Sequence, residues 1–401
     1  MGDDRKAKHA YPLDNTDPSI APHLFTTLQN IQATCPVAWS DAVGGFWALS
    51  KYGDITQAAN DWQTYTVEEG HTIPSTGKSV MLPIAEVDPP EHTAWRKYLL
   101  GYFSPNELTK WIPQIRQIIV DAFADLESIG RGDLVHEVAH RVPTSVISAM
   151  LGFTQDWDYI SDITEEWMAS TGDTANPERA KKAAAAVEDV VRREIEARRG
   201  RPPADMLGAI MAGEVNGAPI GDQELLGLCI VFIVAGHGTT VDGIANTVHR
   251  ILAEPGLFDR LKADRSILAN VIDESLRLSP PVWNMGRTAR LEAEVRGASI
   301  CPGEKVMLLY GAGNYDEEKF ADPWTFDHDR PGVHGHLTFG YGRHRCIGES
   351  LAKLEIRLVL EHVLDNLPDL ELDGPVDVRT HFTTYGLTRL PVRRASLAAR
   401  A

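Results

Sequence analysis

Apolar residues recur at helical spacing along most of the chain. Between Asn106 and Arg199 this periodicity predicts one helix after another. Alternation of apolar and polar residues, which is typical of half-buried strands, is confined to short segments. The pattern therefore predicts a mainly α-helical fold with small β-sheets. The predicted helices cover residues 24–33, 52–60, 108–128, 135–151, 157–170, 176–199 and 349–364, and the predicted strands lie at 46–50, 295–300, 305–309 and 382–393.

One further predicted helix, residues 225–252, is far longer than the usual helix. It is almost wholly apolar over residues 225–236, so we expect it to run through the core. In its middle, Gly236 and Gly238 flank His237, and each glycine costs about 1 kcal/mol relative to alanine in a helix interior. Two explanations stay open: the glycines mark a kink or a close approach, or they pack where another helix crosses.

Cys346 lies in a glycine-rich turn that runs into the predicted helix at 349–364. This cysteine turn, Phe339-Gly-Tyr-Gly-Arg-His-Arg-Cys-Ile-Gly348, can bend sharply because glycine adopts positive φ without strain. Backbone N–H groups, the positive end of the helix dipole and the cations Arg343 and Arg345 would favour a thiolate, the form of cysteine that binds metals. The alternative is the ordinary role of a lone cysteine, a small buried hydrophobe.

Composition narrows the possible functions. The 401 residues are 43% hydrophobic and 24% charged, which allows a large core. The formal net charge of −17 argues against nucleic acid as a partner, since its phosphates would be repelled. The sequence has neither a signal-peptide pattern nor a window approaching the roughly 20 apolar residues of a membrane span. We expect a monomeric cytoplasmic enzyme. Its four cysteines lie far apart in the sequence, so we expect neither a zinc site nor disulfides.

The cysteine turn matches the pattern F-x-x-G-x-H-x-C-x-G without a mismatch, at Phe339, Gly342, His344, Cys346 and Gly348. On this pattern the chain resembles the haem-thiolate monooxygenases, the cytochromes P450 of soluble bacterial type. The resemblance covers about residues 23–393, with five motifs in the family's order. It implies a helical prism whose long distal helix crosses the core, with one catalytic domain over residues 23–401 after an extended arm over residues 1–22.

The resemblance implies that Cys346 is the axial ligand of heme b, iron protoporphyrin IX. The segment from Asp88 reads D-P-P-x-H-x-x-x-R, which implies that His92 and Arg96 bind a haem propionate. These two residues share one helix face because they are four positions apart, and without the resemblance they would read as surface residues. Arg287 matches another propionate-binding position. The other implied cofactor-binding residues are Ala235, Gly236, Phe339, Gly340, His344 and Gly348.

The segment Ala235-Gly-His-Gly-Thr239 resembles the family's A-G-x-x-T motif, whose groove holds dioxygen. The resemblance implies that Thr239 assists proton delivery. The family usually has Asp or Glu just before this threonine, where the present chain has Gly238. Asp242 is a candidate substitute acting through a water chain, and an ion pair elsewhere is its alternative role. Thr239, Gly238 and Asp242 are therefore the candidate catalytic positions.

Glu274 and Arg277 form an E-x-x-R motif, which is weak by itself because exposed helices carry many such pairs. Its place between the long helix and the cysteine turn follows the family's order. Arg330 matches the second arginine of a buried triad in that family. The resemblance implies a structural role in which guanidinium groups bind carboxylate and carbonyl oxygens and fix the cysteine turn.

The implied activity is insertion of one oxygen atom from dioxygen into a small or medium-sized apolar or aromatic substrate, by hydroxylation or oxidative O-demethylation. Electrons are expected from a separate ferredoxin or flavodoxin with its reductase, since no G-x-G-x-x-G domain follows the last predicted strand. A peroxygenase driven by hydrogen peroxide is an alternative for which Gly238 is no handicap. A non-catalytic haem sensor or carrier is another, although no output module is visible. The candidate substrate-pocket residues are Phe232, Ala235, Val282, Trp283, Asn284, Met285 and Thr384.

The predicted electron donor also suggests a docking surface. Four cations lie in and after the cysteine turn of an otherwise acidic chain, and such a patch would attract an acidic redox protein. An ordinary solvated surface is the alternative. The four residues of this basic patch are Arg343, Arg345, Lys353 and Arg357.

Overall fold

The computed structural model describes residues 4–75, 80–170 and 176–398. Helices dominate the architecture, which confirms the predicted fold class. A π-helical turn, Val135–Ala139, interrupts the helix predicted over residues 135–151. The α-helices are α1 (Asp4–Ala7), α2 (Leu24–Thr34), α3 (Tyr52–Asn60), α4 (Glu91–Leu99), α5 (Pro105–Leu108), α6 (Ile112–Ile129), α7 (Arg141–Leu151), α8 (Trp157–Ser170), α9 (Pro177–Arg198), α10 (Met206–Met211), α11 (Asp222–Ala253), α12 (Leu257–Ala263), α13 (Leu268–Leu278), α14 (Tyr310–Asn314), α15 (Glu349–Asn366) and α16 (Ala395–Ala398).

The strands form small sheets. The five-stranded sheet has the order β1-β2-β10-β7-β3, in which β2 and β10 run parallel and the other pairs antiparallel. A second sheet joins β11, β14 and β4, and β12 pairs with β13 near the cavity described below. The strands are β1 (Val37–Ser40), β2 (Phe46–Leu49), β3 (Tyr65–Thr66), β4 (Arg131–Asp133), β5 (Glu214–Val215), β6 (Ala218–Pro219), β7 (Met285–Ala289), β8 (Ala293–Val295), β9 (Ala298–Ile300), β10 (Lys305–Leu308), β11 (Leu370–Leu372), β12 (Asp377–Thr380), β13 (Tyr385–Arg389) and β14 (Pro391–Arg394).

The N-terminal residues 4–22 pack against the five-stranded sheet. Arg5 and Lys6 form ion pairs with Glu304 at 2.7 and 2.9 Å. Leu13 is buried, and Ala10 bridges to β1. Apolar burial and these ion pairs hold the segment in place.

Helix α11 runs through the core and packs against α7, α9, α13 and α15. The expectation that no window is apolar enough for a membrane span was wrong for this helix, which could span one by length and composition. However, 61% of its most apolar window is buried inside the protein, as in a core helix. The helix is unbroken at its central glycines. A Cβ at Gly238 would meet no atom within 4 Å, and one at Gly236 would meet only Ile147 Cγ1, at 3.8 Å. Packing against a crossing helix therefore explains neither glycine.

Candidate active site

An internal cavity lies between α11, α15, the cysteine turn and β7. Its empty volume is about 1510 Å³, part of it continuous with solvent, and most of its wall is apolar. The structure brings most of the predicted site residues together in this wall. They are Arg96, Phe232, Ala235, Gly236, Thr239, Val282, Met285, Arg287, Phe339, Gly340, His344, Cys346 and Gly348.

Two glycines of the cysteine turn adopt left-handed backbone, with φ of 71° at Gly340 and 70° at Gly342. A Cβ at Gly342 would lie 2.5 Å from Asn60 Oδ1, so a side chain would be both strained and crowded there. The N–H of Cys346 donates to the carbonyl of Phe339 at 2.8 Å and closes the turn. This geometry presents the sulfur atom to the cavity.

The free thiol of Cys346 does not ionise easily in this setting. Burial raises its pKa, and this effect outweighs the opposing influence of the Gly348 N–H and of the charges of Arg96 and Arg345. The glycines and cations of the turn therefore do not lower the pKa of the free thiol below its usual value, and the thiolate state of Cys346 stays a prediction for the metal-bound protein. A bound metal cation would supply the missing stabilisation, because coordination deprotonates a thiol.

Two arginines of the cavity wall lack an acidic partner among the residues that the structure describes. Arg287 is buried, and its Nη1 donates to the carbonyl of its neighbour Gly286 at 2.7 Å. Arg96 Nη1 donates to the carbonyl of Arg345 at 2.5 Å. A buried guanidinium without a counter-ion is costly, so an anionic group in the cavity would stabilise Arg287 and also the half-buried Arg96.

Two histidines lie at this end of the site: His344 lines the cavity, whereas His92 is buried and does not line it. The rings of His92 and His344 lie 4.1 Å apart, and neither Nε2 atom has a hydrogen-bond partner in the described part of the chain. Burial lowers the pKa of His92 to about 4 and, with help from the Arg287 charge, also lowers that of His344. Both imidazoles are therefore neutral near pH 7. Free nitrogen atoms and unpaired guanidiniums at one end of an apolar cavity fit the propionates of a haem.

On the opposite wall, Thr239 Oγ1 donates to the carbonyl of Ala235 at 2.8 Å. Asp242 is buried but does not line the cavity. Its Oδ1 accepts from Arg379 Nη2 at 2.9 Å, in space that exists because residue 386 is a glycine. Burial raises the pKa of Asp242 to about 6. The structure therefore shows the ion pair that was the alternative role of Asp242.

Three predicted pocket residues lie outside the cavity wall. Trp283 is fully buried in a separate apolar cluster with Leu28 and Met307. Asn284 Nδ2 donates to the carbonyl of Phe382 at 2.8 Å, and Thr384 forms a β-bridge with Val282. Of residues 282–285, only the first and the last, Val282 and Met285, line the cavity. Strand β7 begins at Met285, so the residues before it do not follow the alternation of a strand.

Sequence reasoning missed one carboxyl group of the cavity wall, that of Glu355 in α15. The residue is buried, and its Oε2 has no partner among the residues described. Burial raises its pKa well above the usual range. The helical spacing could have indicated its burial. Glu355 lies four residues after Leu351 and three before Leu358, so it shares the apolar face of the helix with both leucines.

The triad predicted beneath the cysteine turn is assembled. Arg277 donates to both carboxylate oxygens of Glu274, each at 2.7 Å, and to the carbonyls of Asn314 and Pro323, each at 2.8 Å. Arg330 Nε donates to Glu274 Oε1 at 2.9 Å. All three triad side chains are buried, so their charges are paired away from water.

Comparison with known proteins agrees with this site. The family model for cytochrome P450 matches residues 82–394. Cytochrome P450 107B1 of Saccharopolyspora erythraea is 32% identical over 363 residues, covering 86% of this chain and 89% of that protein. Linalool 8-monooxygenase of Pseudomonas putida is 30% identical over 358 residues, covering 84% and 87%. A solved structure of cytochrome P450 CREJ with (4-ethylphenyl) dihydrogen phosphate superposes with a TM-score of 0.86 at 25% identity, covering 96% of this chain and 99% of that one. A cysteine presented to a haem-sized cavity and these matches together confirm the resemblance, and the chain belongs to the cytochrome P450 family.

Proposed function

We propose that this P450 monooxygenase inserts one oxygen atom into a small or medium-sized apolar or aromatic molecule, by hydroxylation or oxidative O-demethylation. The apolar wall that faces Cys346 and Thr239 carries the proposal. Such a wall binds a substrate by burial of apolar surface and offers few polar groups for orientation. The apolar lining residues include Ile84, Phe103, Ile147, Val231, Phe232, Val282 and Met285.

Heme b is the cofactor that fits the site, with Cys346 as the iron ligand and the cations and imidazoles of the wall around its propionates. When bound, a thiolate-ligated haem supplies dioxygen activation and favours O–O cleavage. One oxygen atom enters the substrate and the other leaves as water, so the reaction consumes two electrons and two protons. Thr239 Oγ1 is the hydroxyl that we propose to relay protons from the α11 side of the cavity.

We further propose that the electrons come from a separate ferredoxin or flavodoxin with its reductase in the cytoplasm. Within the basic patch, Arg345 pairs with Glu349 at 2.6 Å and Lys353 with Asp273 at 2.7 Å, while Arg357 lies 3.9 Å from Glu361. Arg343 is exposed and forms no ion pair among the described residues. Its charge is therefore the one most available to an acidic partner.

The haem-thiolate assignment is tested by the absorption of the reduced protein with carbon monoxide. We expect the long-wavelength band of thiolate ligation in the wild type and its loss in Cys346→Ala. The matched control is Cys229→Ala, because Cys229 is a fully buried thiol in α11 that does not line the cavity. A Cys346→Ala protein that binds haem and keeps the band would refute the assignment.

The substrate class is tested by titrating aliphatic, terpenoid and methoxyaromatic compounds into the ferric enzyme. A substrate that displaces water from the iron shifts the Soret band, and its product is then identified in turnover with a ferredoxin system. We expect apolar and aromatic compounds to shift the band. If only charged or strongly polar compounds did so, the proposed substrate class would be wrong.

Peroxygenase activity is the second candidate function, and the residues on the α11 side of the cavity favour it. Position 238 carries no carboxylate, and the nearby Asp242 is paired with Arg379 outside the cavity. A path using hydrogen peroxide brings both oxygen atoms and both protons with the oxidant, so it needs no acid there. Turnover with peroxide but not with dioxygen and a ferredoxin system would favour this candidate.

A further inference from the structure

We propose that His140, Glu165 and His237 form a binding site for one divalent transition-metal ion, with Zn²⁺ as the best match to the donors. Each side chain offers one donor atom, and the three atoms lie within 4.8 Å of one another. The residues come from separate segments: His140 just before α7, Glu165 in α8 and His237 in α11. None of them lines the cavity that contains Cys346, so this site is distinct from the haem site.

The ring of His237 is oriented by Thr144. The Thr144 hydroxyl donates to the carbonyl of His140 at 3.1 Å, so its oxygen is free to accept from His237 Nδ1–H, with which it is in contact. A proton on Nδ1 leaves the lone pair on Nε2, which lies 3.4 Å from Ser161 Oγ and 3.5 Å from Glu165 Oε1. Metal-binding histidines are usually held in this way, with the second nitrogen fixed by a hydrogen bond.

His237 is the buried donor of the group, with a side chain that is 1% exposed. His140 supplies the second imidazole: its Nδ1 contacts Glu165 Oε1 but makes no aligned hydrogen bond with any described residue. Both nitrogen atoms therefore lie close to the same carboxylate oxygen, and the three donor atoms are near enough to bind one ion together.

The donor types of the cluster suit a dication. Glu165 supplies a carboxylate, and its side chain is 47% exposed. Asp242 and Arg379 pair with each other at 2.9 Å. Two imidazoles and one carboxylate form a recognised zinc ligand set that leaves a fourth position for water.

A metal ion here would connect three segments beside the distal helix. Gly236, the neighbour of His237, lines the haem cavity together with Ile147 of α7. We expect bound metal to hold α7 and α8 against α11 and to raise the thermal midpoint of the haem-loaded protein, since a ligand that binds only the folded state stabilises it.

The test is calorimetric titration of chelator-treated haem-loaded protein with Zn²⁺ alone, comparing Glu165→Gln with Glu166→Gln. Glu166 is the matched control, because it is the adjacent acid of α8 and pairs with Arg179 at 2.5 Å instead of with histidine. We expect one equivalent to bind the wild type and Glu166→Gln equally, and Glu165→Gln to bind at least about 10-fold more weakly.

Two further variants separate ligation from folding. His140→Gln should weaken Zn²⁺ binding as Glu165→Gln does, and Thr144→Val should weaken it by about 10-fold through loss of the ring orientation. The exposed group Asp327, His328 and Asp329 could hold the same ion, and binding there would be unaffected by all of these changes. The proposal is overturned if the wild type binds no equivalent of Zn²⁺, or if Glu165→Gln binds it as tightly as Glu166→Gln.

Discussion

Two groups of charged side chains, the buried triad and the arginines of the cavity wall, differ in how they are paired. In the triad, Glu274 accepts from two arginines, and backbone carbonyls bind their remaining N–H groups. In the cavity wall, Arg96 and Arg287 have no acidic partner in the described chain. Because an unpaired buried cation destabilises the empty fold, the difference teaches that the triad charges serve the fold and the wall charges serve a ligand.

Glu274→Gln should break the paired side of this comparison and give the largest effect. The change leaves the guanidiniums of Arg277 and Arg330 buried without a counter-ion, which costs about 3–5 kcal/mol. The urea midpoint should fall and the purified protein should contain less haem. Glu361→Gln is the control, because Glu361 pairs with arginine at the surface and should cost about 1 kcal/mol or less. Equal midpoints for the two variants would contradict the role of the triad.

Arg287→Met tests the unpaired side and should affect the ligand more than the fold. Loss of charge-assisted hydrogen bonds worth about 1.5–3 kcal/mol predicts roughly 10- to 100-fold weaker haem binding. The haem-free variant should be as stable as the wild type or more so, because a costly buried cation is removed. Haem transfer to an acceptor protein and urea unfolding of the haem-free form measure the two effects.

Arg290→Met is the matched control for that experiment. Arg290 follows β7 and pairs with Glu68 at 2.8 Å and Asp88 at 3.1 Å. Its loss should lower stability slightly and leave haem transfer unchanged. If Arg287→Met instead destabilised the haem-free protein and left haem transfer unchanged, the distinction between the two charged regions would be wrong.

Asp242 is intermediate between the paired triad and the unpaired arginines of the cavity wall. It is buried and paired with Arg379, yet its pKa is raised to about 6 from an ordinary value near 3.8. A raised folded pKa means that the stabilisation is complete below the unfolded pKa and is lost as pH rises through about 6. Asp242→Asn does not titrate. Its urea stability relative to the wild type should therefore improve by about 2 kcal/mol between pH 4.5 and 7.5. A difference that stays constant with pH would show that the Asp242 carboxylate ionises normally.

Sequence alone gave the fold class, the family and the cysteine turn, because each rests on local chemistry. Apolar periodicity predicts helices, and Gly342 is needed by a turn whose backbone leaves no space for a side chain. The order of the motifs was enough to bring Glu274, Arg277 and Arg330 into one triad.

The features that the sequence could not predict depend on the direction of a side chain and on contacts with residues that are far away in the sequence. Asp242 was weighed as a proton donor, but its direction depends on Arg379 and on the space beside Gly386, both far away in sequence. Trp283 was assigned to the pocket, and a core cluster takes its side chain. Desolvation, which raises the pKa of the free Cys346 thiol, depends on the whole fold and not only on the nearby charges and dipoles.

The contrast between paired and unpaired cations extends to the surface, where the expected effects are smallest. Arg343 is exposed and unpaired among the described residues, whereas Arg357 lies near Glu361. Arg343→Glu should slow electron transfer from an acidic ferredoxin by about 2- to 5-fold at low ionic strength, more than Arg357→Glu, and salt should remove the difference. Lys181→Glu in α9 is the control for net charge. Stopped-flow reduction under carbon monoxide measures the rates, and an unchanged rate in both arginine variants would mean that the basic patch is an ordinary solvated surface.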